Sequence, residues 1–245
     1  MFGLVLLHCA CETPERNNPL DPKNSRSERR RVILAEAFVN EATRYSPFAL
    51  TALDNLAAIV SPEQLVIVEH HLPHPNFADI FALAESRDRY QDLAIDNLLA
   101  VPDVFFNGSA IRTQGAHNEA NAQSRYRGAV DAELGKSAHF TIEASKSVNG
   151  NALAVEAAIA RLGDSDLGAF SVLAIAFEDL GTARHHHVAR KIFPRQNFNG
   201  ILAGEKKRAQ LSAGAVTNAE RLSVVVLVEQ TTGTGREVLQ VALAD

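Results

Sequence analysis

The patterning of the sequence changes at Gly135, and that change does most to limit what the chain can fold into. Before it, short apolar runs alternate with stretches whose apolar residues recur every three or four positions. Val32 to Val39 reads as a strand, and Pro47 then opens a helix carrying Leu50, Leu53, Leu56, Ala57 and Val60 on one face. Leu65 to Glu69 is a second strand, and Asp79 to Ile95 a second helix through Ile80, Leu83, Tyr90 and Leu93. Val104 to Phe106 ends in an Asn107-Gly108 turn onto a partner strand near Ser109 to Thr113, and Glu119 to about Leu134 is a third helix. After Gly135 the period falls to two: HFTIEAS, LAVEAAIARL, FSVLAIAFED, HHHVARKIF, LSVVVLVEQ and EVLQVALA are separated by Gly, Asn, Asp and Thr turns. The expected architecture is an α/β unit over residues 31–135 followed by an all-β unit, an antiparallel β-sandwich, over 136–245.

Composition narrows the chemistry. With 24 Lys plus Arg against 29 Asp plus Glu the formal charge is −5, which gives no electrostatic reason to expect nucleic acid as a partner. The only cysteines are Cys9 and Cys11, so the rest of the chain offers no thiol for a disulfide, a thiolate metal site or a nucleophile.

Phe2 to Leu7 is an apolar run meeting His8-Cys9-Ala10-Cys11, and it resembles a bacterial lipoprotein signal with lipid attached to Cys11. That reading, with residues 1–11 as signal, makes the protein extracytoplasmic and membrane-anchored, in the periplasm or at the outer membrane. The alternatives are a terminus with two incidental cysteines, or a Cys-x-Cys redox or copper site. Residues 12–30, ETPERNNPLDPKNSRSERR, are nearly devoid of large apolar side chains and read as a flexible tether.

Two segments carry a family resemblance. AEAFVNEATRYSPFALTALDNL is similar to an E-x-F-T strand followed by C-x-x-C-P, with Thr43 and Ser46 at the two cysteine positions, Arg44 and Tyr45 between them and Pro47 after. VPDVFFNG is similar to G-x-P-T-x-F-F-N-G, which makes Pro102 the counterpart of a cis-proline. Together with IVEHHLP and the β-rich second half, the chain resembles the twenty-eight-kilodalton outer membrane protein-related family, extracytoplasmic proteins joining a thioredoxin-like domain to a C-terminal β-domain. The resemblance implies that fold and location. For members that keep both cysteines it also implies thiol–disulfide oxidoreductase activity.

Thr43 and Ser46 cannot perform that exchange, because a hydroxyl neither ionises near neutral pH nor forms a disulfide. What remains is a helix N-terminus that Thr43 or Ser46 can cap, opposite a loop exposing the Val101 backbone. The expected site is a peptide- or anion-receptive groove of Thr43, Arg44, Tyr45, Ser46, Val101 and Pro102; the alternative is a relic surface kept for folding. The leading function is non-catalytic binding or adhesion at the cell envelope, with a peptide or protein partner and no cofactor. The other readings are an oxidoreductase working through Cys9 and Cys11, and a periplasmic metal-binding protein. For the last, two histidine groups are candidates. His70-His71-x-x-His74 leaves a strand end in a Pro-containing loop, and His185 and His187, two apart at a strand start, share a face while His186 points away.

Overall fold

The computed structural model describes residues 29–96, 98–182, 184–233 and 235–245. Cys9, Cys11 and residues 12–28 of the expected tether lie outside the described residues. Among those described, no helix is long and apolar enough to cross a membrane.

In chain order the elements are β1 (Arg29–Arg30), β2 (Ile33–Val39), α1 (Ser46–Ala57), β3 (Leu65–His71), α2 (Ala84–Leu93), β4 (Asp103–Phe106), β5 (Arg112–Gln114) and α3 (Glu119–Leu134). There follow β6 (Ser137–Ala138), β7 (Phe140–Asn149), β8 (Ala152–Arg161), β9 (Phe170–Glu178), β10 (Val188–Ile192), β11 (Gln196–Phe198), β12 (Lys206–Ala215), β13 (Ser223–Thr232) and β14 (Gly235–Leu243). Arg29 and Arg30, inside the expected tether, pair as β1 with β6.

The strands form a large mixed sheet, β14-β13-β9-β10-β3-β2-β4-β5 with β11 against β9, and a small antiparallel sheet, β12-β8-β7. The large sheet runs through both halves of the sequence. The join is short and parallel: Val188 lies opposite Glu69, and the Glu69 N–H donates to the His187 carbonyl at 2.8 Å. The second half does have two facing β-layers, but one of them is this shared sheet.

The sheet also curls until its far ends meet. Gly108, just after β4, bridges Glu237 on β14; the Ser109 N–H donates to Arg236 O at 2.7 Å and the Val238 N–H to Asn107 O at 3.0 Å. Gly108 is required there: its φ is +101°, and a Cβ would collide with the Arg236 carbonyl.

Alternation along each strand sorts the side chains. Ile33, Ala35, Ala37 and Val39 of β2 pack under α1 and α3, whereas Leu34 faces a concave core with Val66, Val68, Leu173, Ile175, Val225 and Leu227. Phe38, Phe105, Tyr90 and Leu93 close one end of that concavity, with α2 as the plug. The small sheet covers the opposite outer face through Leu153, Val155 and Ile159 against Val172, Ala174, Val224 and Val226. Because β2, β3 and β9 are buried on both faces, they read as continuous apolar runs.

Candidate functional site

The C-terminal ends of the parallel strands β2 and β3 open onto loops at one end of the sheet, where α/β folds usually bind their ligands. At the end of β2, Asn40 is knitted to the start of α1. The Ser46 hydroxyl, fully buried, donates to Asn40 O at 2.9 Å and accepts from the Asn40 N–H at 3.1 Å. It is therefore neither a cap nor an accessible nucleophile. Thr43 does not cap α1 either: its Oγ1 accepts from the Tyr45 N–H at 3.4 Å, and Tyr45 holds the N-cap position in helical conformation without a side-chain bond. The capping expected of these two hydroxyls is thus corrected. The local chain already turns helically before Ser46, so the hydroxyls face backward into the loop.

Arg44 donates to the Tyr45 hydroxyl at 2.6 Å and lies over its ring, 4.8 Å from the centroid, forming a solvent-facing pair. The antiparallel register of β4 on β2, with Asp103 opposite Phe38, brings the chain before Asp103 to the same end. The Val101–Pro102 bond is cis. Pro102 is buried, with its carbonyl accepting from the Gly115 N–H. Val101 is half-buried, and among the described residues its N–H and C=O have no hydrogen-bond partner. Of the six groove residues, Thr43, Arg44, Tyr45 and Val101 remain reachable.

Beside this corner, the end of β3 carries a second polar constellation. His71 and Glu69 are on the α1 face, and the loop before β10 lays His185 against them. Asp79 is the organiser: Oδ2 accepts from the Glu41 N–H at 2.9 Å and stands 3.0 Å from His71 Nδ1, while Oδ1 accepts from the Phe81 N–H at 2.9 Å. That use of Asp79 displaces the start of the second helix to Ala84, five residues later than the periodicity suggests. Glu69 Oε1 accepts from the His186 and His187 N–H groups, each at 3.1 Å; Oε2 lies 3.4 Å from His185 Nδ1 and 3.8 Å from His71 Nε2. Glu41 Oε1 lies 3.8 Å from His185 Nε2. Phe81 covers the two rings, with centroids 5.2 Å from His71 and 4.8 Å from His185.

Burial pushes the Glu69 carboxyl up, but the imidazoles of His185 and His71 facing it, with the His187 N–H, outweigh it and hold it at about 2. Burial pulls His71 down, yet Glu69 and Asp79 raise it on balance. On α1, burial pushes Asp54 up to about 6; the charges of His186 and His185 oppose it and those of Glu69 and Asp179 add to it.

The histidine groupings expected from sequence are not the ones brought together. His185 and His187 do not form a strand pair, because β10 begins only at Val188; the His187 ring packs instead on Phe177, 5.9 Å away. Nor do His70, His71 and His74 converge. His70 follows the strand alternation to the opposite face, stacked on Phe38 at 4.7 Å, with Nε2 3.3 Å from Glu36 and Nδ1 3.1 Å from Ser86. The His74 ring accepts from the Asn76 N–H in an exposed turn. One histidine from each group, His71 and His185, meets Glu41, and one donor atom of each lies within 4.8 Å of the others. Sequence reasoning missed Glu41, Glu69 and Asp79.

No family profile matches the chain, and no curated protein matches it in sequence. Among the solved structures it matches, two share its fold over most of its length. HBP35 of Porphyromonas gingivalis superposes with a TM-score of 0.69 at 9% identity, over 87% of this chain and 74% of that one. Protein AGR_C_4864 of Agrobacterium tumefaciens superposes with a TM-score of 0.59 at 16% identity, over 88% of this chain and 95% of that one. At such identities the likeness is one of fold.

Proposed function

We propose that this chain is a non-catalytic binding protein of the cell envelope, built on a thioredoxin-like unit whose reactive corner holds oxygen in place of sulfur. One observation carries the reading: Ser46 Oγ, at a cysteine position of the resembled motif, is buried and committed to both polar groups of the Asn40 backbone. The other position is Thr43, and no cysteine follows Cys11 in the sequence. An envelope location is supported by the signal-like residues Phe2 to Cys11. The ligand best suited to the corner is an extended peptide, running beside the unpaired Val101 N–H and C=O with the Arg44–Tyr45 pair as side-chain contact.

Tyrosine emission is the natural reporter. The chain has no tryptophan, and of its three tyrosines Tyr90 and Tyr126 are buried. Titration with a diverse library of extended peptides is expected to change the emission in a saturable way that Tyr45→Phe abolishes. Silence across the library, or a response that survives Tyr45→Phe, refutes binding at this corner.

A further inference from the structure

His71 is 1% exposed, yet its Nε2 has no hydrogen-bond partner, with Glu69 Oε2 standing 3.8 Å away. A buried nitrogen left in that state is costly, and in a cluster of polar side chains it marks a place for something else. We propose that Glu41, His71 and His185 bind a divalent first-row transition-metal ion, with Zn2+ the ion their donors suit.

Three features of the cluster lead there. First, both oxygens of Asp79 already accept from N–H groups, so the carboxylate is an acceptor and His71 Nδ1 must donate to it. The Nε2 lone pair is then directed away from Asp79 into the cluster. His185 repeats the arrangement, with Nδ1 on Glu69 Oε2 and Nε2 toward Glu41 Oε1. A carboxylate behind each imidazole is how metal-binding histidines are usually oriented and made more basic.

Second, the charge suits a dication. Glu41, Glu69 and Asp79 converge on two imidazoles, and among the described residues none of the three carboxylates pairs with a lysine or arginine. Third, the donor set discriminates. Two imidazoles and one carboxylate suit zinc and its neighbours rather than calcium or magnesium. Glu41 is exposed while both histidines are buried, so an ion here keeps a solvent-facing position for water or a ligand.

The proposal goes beyond the peptide reading and does not depend on it. It also places the ion at the join between the two halves of the sheet, since Glu69 pairs with β10 and His185 stands in the loop before it. Bound metal is then expected to stabilise that join.

The test uses the full chain with Cys9→Ala and Cys11→Ala, which removes the only thiols, stripped with chelator and titrated with Co2+ and then Zn2+. Expected are one equivalent of Co2+ with visible d–d bands of a nitrogen–oxygen site, and its displacement by one equivalent of Zn2+. Glu41→Gln, at an exposed position, and His185→Gln are each expected to lower affinity by at least about tenfold. Asp79→Asn should lower it about ten- to hundredfold through the orientation of His71. His74→Ala and His187→Ala are expected to leave it unchanged. Absence of stoichiometric binding, or binding that survives both Glu41→Gln and His185→Gln, overturns the proposal; the cluster is then an internal ion pair with a protonated His71 between Asp79 and Glu69.

Discussion

Replacing Arg89 by methionine probes what holds α2 inside the curled sheet. Arg89 on α2 donates two hydrogen bonds to Glu36 on β2, at 2.8 and 2.7 Å, and one to Glu229 on β13 at 2.8 Å. All three residues are at most 3% exposed. In the sheet order β13 and β2 are separated by β9, β10 and β3, so one guanidinium reaches across the concavity. Arg89→Met keeps most of the volume and removes the charge. Glu229 retains Arg195 at 2.6 Å, but Glu36 is left with His70 alone, at 3.3 Å. Removing one partner of a buried ion pair typically costs about 3–5 kcal/mol, a large part of the ~5–15 kcal/mol that holds a domain together. For a chain of this size that corresponds to a fall in Tm of roughly 10 °C. Guanidinium unfolding followed by circular dichroism gives the free energy, and Arg89→Met with Glu36→Gln is expected to recover part of the loss. A single variant within about 1 kcal/mol of wild type refutes the claim that this buried bridge ties α2 to both halves.

The same site sets acid stability. Burial pushes the Glu36 carboxyl up, but the charge and hydrogen bonds of Arg89, helped by His70, hold it at about 2, below its ordinary 4.5. A depressed carboxylate stabilises the fold above the unfolded value and loses that contribution as pH falls from 4.5 towards 2, so unfolding free energy is expected to drop across that window and less steeply in Glu36→Gln. Ser46→Ala strips two hydrogen bonds from the buried Asn40 backbone and is expected to cost about 1–3 kcal/mol in denaturant unfolding; a neutral result contradicts the role given to its hydroxyl. Gly108→Ala forces a Cβ against the Arg236 carbonyl, and hydrogen exchange at Ser109 and Val238, whose amides close the curl, is expected to accelerate selectively.

Local pattern made the elements legible and left their meeting points hidden. The third helix, Glu119–Leu134, falls where its spacing places it, and β2, β3 and β9 follow apolar runs. β12 escaped notice because Lys206–Ala215 is an edge strand with only Ala209 and Leu211 buried, too few apolar residues to show a period. The large sheet crosses Gly135 through one ladder pair, Val188 with Glu69, and closes through the Gly108–Glu237 bridge, and no periodicity reports either. Strand alternation did hold the information that His70 and His71 face opposite ways, so a cluster of both was excluded by period two alone. The pairing of His71 with His185, 114 residues further along the sequence, and of Arg89 with Glu229, 140 apart, depends on the sheet path and could not be read locally.

The corner, lacking sulfur, is proposed to bind and not to exchange disulfides. Insulin reduction by dithiothreitol, followed as turbidity, decides this when run with the chain carrying Cys9→Ala and Cys11→Ala and with that chain plus Thr43→Cys and Ser46→Cys. The first protein is expected to match the uncatalysed rate, and the second to exceed it through a new intramolecular dithiol. Acceleration by the cysteine-free protein refutes a corner that only binds.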